Sequence, residues 1–159
     1  KKELFLNFQI PKGRGDISKV KIKDKEFFLI DESYNSNPLS LKTAIENYDD
    51  IDAKSSKKYL ILGDMLELGQ HSVKQHNLIS ETINKTKIVK VDVVGKYIKK
   101  TFVRITKSKK GKILKNKNKI FDTINQNLRN NDYLMIKGSN STGLNKVVSK
   151  LKQTGSYAL

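Results

Sequence analysis

The chain has 159 residues, no cysteine and a formal net charge of +16 at neutral pH. That length can bury a sizeable core, and the lack of thiols excludes disulfides and thiolate chemistry and fits a cytoplasmic protein. Hydrophobic residues make up 36% and charged residues 30%, within the soluble globular range, and no run of about 18 apolar residues is present to span a bilayer.

The basic excess has two readings. One is a polyanion partner. The other is compositional drift, because Lys, Asn and Ile together are what an AT-rich genome supplies. Only Arg14, Arg104 and Arg129 of the 32 basic residues are Arg, whereas nucleic-acid readers lean on the bidentate guanidinium. Drift is the favoured reading, so neither a nucleic acid nor a membrane is expected as partner. The opening "KKELFLNFQIPKGRGD" is too interrupted for a signal-peptide core. It begins without Met, as a fragment of a longer protein would.

In chain order, "SKVKIK" (18–23) and "EFFLID" (26–31) alternate around a two-residue Asp24-Lys25 link and predict a hairpin. A helix is predicted over 39–48, with Pro38 at its first position and Asn37 as N-cap. "KYLILGDM" (58–65) predicts a strand buried on both faces. A helix over 70–84 carries Val73, His76, Ile79 and Ile83 on one side. "KIVKVDVVG" (87–95) predicts the next strand, and 96–102 a short helix. "KSKKGKILKNKNK" (107–119) reads as a solvated loop around a weak strand near Ile113. An amphipathic helix follows over 119–128, then a strand over 132–139 and a helix over 142–151. Strands and helices that alternate in this way predict one α/β domain over 1–159, with a mostly parallel sheet covered on both faces.

In such a sheet, ligands sit at the carboxyl ends of the strands. Three predicted strands end in polar turns: "IDESYNSNP", "LGDMLELG" and "IKGSNST". Turn and cap chemistry explains Asn37 and Pro38 but leaves Asp31, Glu32, Tyr34 and Asn35 unexplained. Asp64 and Glu67 could meet an ammonium group or a metal-bound water, or belong to a solvated loop. "KGSNSTG" places Lys137 and hydroxyls between a strand and a helix, where an anion is favoured; the alternative is a plain N-cap. The P-loop spacing G-x-x-x-x-G-K-[ST] is absent. His71 and His76 are five apart rather than four, so no metal site is expected.

Taken together, "KGRGD", "LIDESYNSNPLSLKTAI", "LGDMLELG", His76, "VVGK" and "LMIKGSNS" occur in the order seen in the Mur ligases, and from about Gly13 to Leu151 the chain resembles their C-terminal domain. The phrases YNxNP and GDMxELG are the specific ones. They are closest to the wording of the branch that adds D-Ala-D-Ala. The resemblance implies a Rossmann-like sheet, mostly parallel, with one antiparallel strand from the N-terminal hairpin. It also implies a three-domain ligase whose N-terminal and central domains are absent here. ATP and Mg²⁺ would be bound mainly by the central domain, with D-Ala-D-Ala and UDP-MurNAc-tripeptide as the other substrates. The ligase would be a cytoplasmic monomer of peptidoglycan synthesis.

Carried over by position, Arg14 would reach the nucleotide phosphates, and Asp31 or Glu32 would contact the ribose or orient Arg14. Tyr34, Asn35 and Asn37 would line the adenosine side. Lys137, Gly138 and Ser139 would meet the dipeptide, and Asp64 and Glu67 would shape the amine-side pocket. No catalytic residue is expected within this domain alone. Asn140 stands where the family phrase has Arg, Leu144 and Asn145 where it has Met-Glu, Ser36 where it has Ala, and Glu32 where it has Asp. The alternatives are another ligase of the Mur or folylpolyglutamate type, or a basic nucleic-acid-binding module.

Overall fold

A computed structural model describes residues 13–66, 68–153 and 156–158. Its strands are β1 (Asp16–Ile22), β2 (Lys25–Glu32), β3 (Lys58–Gly63), β4 (Lys90–Val94), β5 (Lys110–Leu114), β6 (Tyr133–Lys137) and β7 (Ser156–Ala158). Its helices are α1 (Pro38–Asp50), α2 (Ser72–Lys85), α3 (Lys99–Arg104), α4 (Lys119–Asn127) and α5 (Leu144–Gln153), with short 3₁₀ turns at Gly69–His71, Lys107–Lys109 and Asn140–Thr142. The described strands form one sheet in the order β5-β4-β3-β6-β2-β1-β7. The β5-β4-β3-β6-β2 portion is parallel, and β1 runs antiparallel to both β2 and β7. The predicted α/β class is therefore the observed one.

Period-two alternation divides the sheet between two cores. Tyr59 and Ile61 of β3, with Leu134 and Ile136 of β6, pack under Ile120 and Ile124 of α4 and Val147, Val148 and Leu151 of α5. Leu60, Leu62 and Met135 face the other way, against Leu41, Ile45 and Tyr48 of α1 and Ile79 and Ile83 of α2. All six residues of β3 are buried, as expected of a central parallel strand.

The boundaries shift in places. The hairpin turns at Lys23-Asp24, since Ile22 pairs with Lys25; the link expected from the sequence was Asp24-Lys25. Either turn sets Val20 and Ile22 on the face of Phe27 and Leu29, so alternation alone cannot separate them. The second helix starts at Ser72 after the 3₁₀ turn. Val73, placed on its apolar side from the sequence, is exposed. β7 is three residues long, too short to leave a periodic signal.

Candidate functional site

Because β2, β6 and β3 are parallel neighbours, their three polar turns emerge along one edge of the sheet. Two glycines set how closely the turns approach. A Cβ on Gly138 would lie 2.8 Å from Leu144 Cδ1 and 3.1 Å from the Cα of Gly63, and one on Gly63 would lie 2.7 Å from the same Leu144 methyl. The ends of β3 and β6 therefore meet backbone to backbone, a contact that a side chain at either position would wedge open.

The turn after β2 is bound to its surroundings at nearly every residue. Asp31 is buried. Its Oδ1 accepts from the Ser33 hydroxyl at 2.6 Å and from the Ser33 N–H at 3.1 Å. Its Oδ2 accepts from Lys152 Nζ at 3.0 Å, and Lys152 also donates to Asp16. Burial works against the Lys152 charge, but the hydrogen bonds to Asp16 and Asp31 outweigh it and hold its pKa above the usual lysine value. Glu32 pairs with Lys137 at 3.1 Å. Lys137, whose side chain is 2% exposed, also donates to the Asn35 carbonyl at 2.8 Å. Asn35 Oδ1 accepts from the Ser36 N–H at 2.7 Å. Asn37 caps α1: its Oδ1 accepts from the Ser40 N–H at 2.8 Å, while Ser40 Oγ accepts from the Asn37 N–H at 3.1 Å. That reciprocal pair is a capping box with Pro38 at the first helical position, and it stabilises the helix start by about 1 kcal/mol.

Tyr34 is exposed. The Arg14 guanidinium lies 4.8 Å from the centre of its ring, a cation–π distance. The Tyr34 N–H donates to the Gly13 carbonyl at 3.2 Å. Among the described residues Arg14 makes no ion pair, with Asp31 and Glu32 committed to Lys152 and Lys137.

The turn after β3 has its own closure. Asp64 is buried, and its carboxylate accepts from the backbone N–H groups of Lys96 (2.9 Å), Tyr97 (2.9 Å) and Ile98 (2.7 Å). Gly95 allows this. Its φ is +141°, and a Cβ there would lie 2.5 Å from the Asp64 carboxylate. The Asp64 carbonyl accepts from the Ser139 N–H at 3.1 Å. Ser139 Oγ accepts from the Leu66 N–H at 3.0 Å and donates to the Ser36 carbonyl at 3.3 Å. Ser139 thus ties all three turns together. Glu67 lies outside the described residues.

Two clefts open on this edge. One, of about 490 Å³, is bordered by the polar runs 35–37 and 139–141 and by the apolar Leu66 and Leu68. The other, of about 740 Å³, includes Asp31, Tyr34, Asn145 and Lys152. Of the residues expected on the nucleotide side, Asp31 and Tyr34 line the larger cleft and Asn35 and Asn37 the smaller, while Arg14 and Glu32 line neither. Ser139 lines the smaller cleft, while Asp64, Lys137 and Gly138 are buried. Two departures from the family phrase meet in space: Asn145 Nδ2 donates to Asn140 Oδ1 at 2.6 Å. Ser36, which the sequence marked only as a departure from the family's Ala, has a buried hydroxyl with no partner.

His76 is fully buried on α2. Its Nδ1 contacts the Ser72 carbonyl at 2.7 Å, and its Nε2 has no partner. Burial pushes its pKa down, against the opposing effect of the Ser72 bond. Among the described residues no three His, Cys, Asp or Glu gather as metal ligands, and no helix is long and apolar enough to cross a membrane.

Comparison with known proteins places this architecture. Residues 18–140 match the family described as Mur ligase, glutamate ligase domain. The chain is 31% identical over 144 residues to UDP-N-acetylmuramoyl-tripeptide–D-alanyl-D-alanine ligase of Rickettsia prowazekii, covering 91% of this chain and 31% of that protein. It is 36% identical over 126 residues to the ligase of the same name from Buchnera aphidicola of Acyrthosiphon pisum, covering 77% and 26%. The chain thus spans less than a third of the length of these relatives. The crystal structure of MurF ligase from Thermotoga maritima in complex with ADP superposes with a TM-score of 0.74 at 20% identity, covering 93% of this chain and 32% of that one, a likeness of fold. With the family match running from within β1 to the turn after β6, the chain belongs to the Mur ligase family, as its C-terminal, glutamate ligase domain.

Proposed function

We propose that this chain is the C-terminal domain of an ATP-dependent amide ligase that joins D-alanyl-D-alanine to a UDP-N-acetylmuramoyl tripeptide. The carrying observation is that the D-E-S-Y-N, G-D-M-L-E-L-G and K-G-S-N-S turns lie together on the carboxyl edge of β2, β3 and β6, in a chain similar to proteins named for that reaction. The remaining two thirds of the enzyme would be an N-terminal domain for the UDP-sugar peptide and a central domain holding ATP and Mg²⁺. In the reaction, a tripeptide carboxylate oxygen attacks the γ-phosphorus and ADP leaves. The dipeptide amine then attacks the acyl-phosphate carbonyl, and the tetrahedral intermediate expels phosphate. The work left to this domain is orientation, exclusion of water and donation to developing negative charge.

In this reading Arg14, on the Tyr34 ring, reaches toward the nucleotide, and the Asn35–Asn37 turn faces the interdomain seam. Lys137 and Ser139 hold that turn from below, through the Asn35 and Ser36 carbonyls. The reaction is placed in the cytoplasm.

The test uses the parent protein with all three domains. Phosphate release that requires ATP, UDP-MurNAc-tripeptide and D-Ala-D-Ala together is the expected result. Ligation of a single amino acid in place of the dipeptide would refute the substrate assignment. The 159-residue chain alone should turn over no ATP, and turnover above an Arg14→Ala control would refute the division of labour.

A further inference from the structure

We infer that the basic surface formed by α3 and β5 docks on an anionic lipid membrane, with Val103 and Ile113 as its apolar contacts. The inference is independent of the proposed reaction.

Compositional drift explains why the chain is rich in lysine. It does not explain where the lysines sit. Residues 96–119 carry 11 of the 32 basic residues and none of the 16 acidic ones. An even spread would put about five and two there. The stretch comprises α3, the 3₁₀ turn at Lys107–Lys109 and β5, the outermost described strand on its side of the sheet. Among the described residues, only Lys119 of the 11 has a carboxylate partner, Asp122. Asp92, whose carboxylate accepts from the Lys112 N–H, is buried on β4.

The charge is also segregated across the fold. α1, α2 and α3 follow one another over one face of the sheet. α1 sets Glu46, Asp49 and Asp50 against Lys42 alone, while α3 has Lys99, Lys100 and Arg104 and no acid. The helical layer therefore runs from acidic to basic, and a negative surface would turn the α3 end toward itself.

Two features choose a bilayer over a nucleic acid. Lysine outnumbers arginine ten to one in the stretch. Lysine is a hydrated point charge suited to a diffuse anionic surface, whereas base readout leans on the guanidinium fork. The second feature is apolar side chains standing out among the charges: Val103 is 68% exposed and Ile113 44%. Lys110 Nζ donates to the Val103 carbonyl at 2.8 Å and lies 5.7 Å from the centre of the Phe102 ring, so α3 and β5 present one surface. Ile113 pairs with Val93, which faces the core beneath α2. Paired residues of neighbouring strands share a face, which turns Ile113 to the α3 side. Exposed aliphatics among lysines suit an interface: charge draws the surface to the headgroups and the aliphatics enter the acyl boundary.

The test is co-sedimentation of the 159-residue chain and of the parent protein with vesicles of phosphatidylglycerol and phosphatidylcholine in equal parts, with pure phosphatidylcholine as control. Both proteins should bind the mixed vesicles, less tightly as salt rises, and not the neutral ones. Each lysine near an anionic leaflet strengthens binding about fivefold, so Lys99→Glu with Lys107→Glu should weaken it about 25-fold or more. Both residues are exposed, so the thermal midpoint should not move. Val103→Ser should weaken binding about threefold and keep its salt dependence. Lys21→Glu with Lys150→Glu changes the net charge equally from exposed positions elsewhere and should leave binding within about twofold. Equal loss in the two double variants would return the lysines to drift and overturn the inference. So would an unaffected Val103→Ser, or binding by the chain but not by the parent, whose other domains would then cover the face. Tighter binding to an oligonucleotide at the same salt would give the face to nucleic acid and overturn it. Salt-sensitive self-association without vesicles, lost in Lys99→Glu with Lys107→Glu, would give it to the acidic α1 side of a second copy and overturn it too.

Discussion

Replacing Lys137 by Met tests whether the ion pair beneath the β2 turn holds the edge together. Lys137 and Glu32 sit 3.1 Å apart with side chains 2% and 21% exposed. At an effective dielectric constant of about 20 their attraction is roughly 5 kcal/mol. Desolvation of the two ions costs several kcal/mol and cancels most of that gain. The pair therefore adds little net stability, yet removing one member alone is expensive. Lys137→Met leaves a half-buried carboxylate and strips the Asn35 carbonyl of its donor. The expected loss is about 3 kcal/mol, the lower end of the range for a broken buried pair, because Glu32 still reaches water. Glu32→Gln in the Lys137→Met background should recover about 1 kcal/mol or more by removing the stranded charge. Urea unfolding of the four variants gives both the loss and the coupling energy. A Lys137→Met loss below about 1 kcal/mol, or strictly additive substitutions, would show that the pair does not behave as a buried unit.

Three further outcomes are expected. Asp64→Ala, which removes the acceptor for three backbone N–H groups, should destabilise the chain by about 2 kcal/mol or more, and calorimetry would detect it. Gly138→Ala forces a Cβ onto the Leu144 methyl and the Gly63 backbone; the expected cost is about 1–3 kcal/mol of overpacking, read from the urea midpoint. His76 has a folded pKa depressed below its ordinary value of 6.5 by burial. The unfolded chain therefore binds the proton first, and stability falls as pH drops from about 6.5 through the folded pKa. His76→Asn, which can still donate to the Ser72 carbonyl, should flatten stability between pH 7 and 5, and an unchanged slope would assign the acid sensitivity elsewhere.

Much of the fold was legible because its signals are local. The all-apolar run at β3 announced a central strand, the Asn37-Pro38 pair announced a helix start, and the strand–helix alternation announced that the three polar turns would share one edge of the sheet. The register of the hairpin was not legible, since two turns give the same facing residues. The buried duties of the polar residues were less legible still, because their partners are distant in sequence. Asp64 meets Ile98 across 34 positions, Lys137 meets Asn35 across 102, and Lys152 meets Asp31 across 121. A sequence shows that a carboxylate stands at a strand end; it does not show that an amine or a row of amides has been folded up against it.

The antiparallel run of β1 returns Gly13 to the same edge as the turn it precedes. Gly13, at φ +79°, fits there only without a side chain, for a Cβ would lie 2.9 Å from the Cβ of Tyr34. Its carbonyl holds the Tyr34 N–H, and the Gly15 N–H holds the Asp31 carbonyl at 2.7 Å. Tension applied to the chain at Gly13 is therefore delivered to the Tyr34 backbone before it reaches the sheet. The incoming chain acts as a drawstring on the mouth of the larger cleft, tied by two hydrogen bonds.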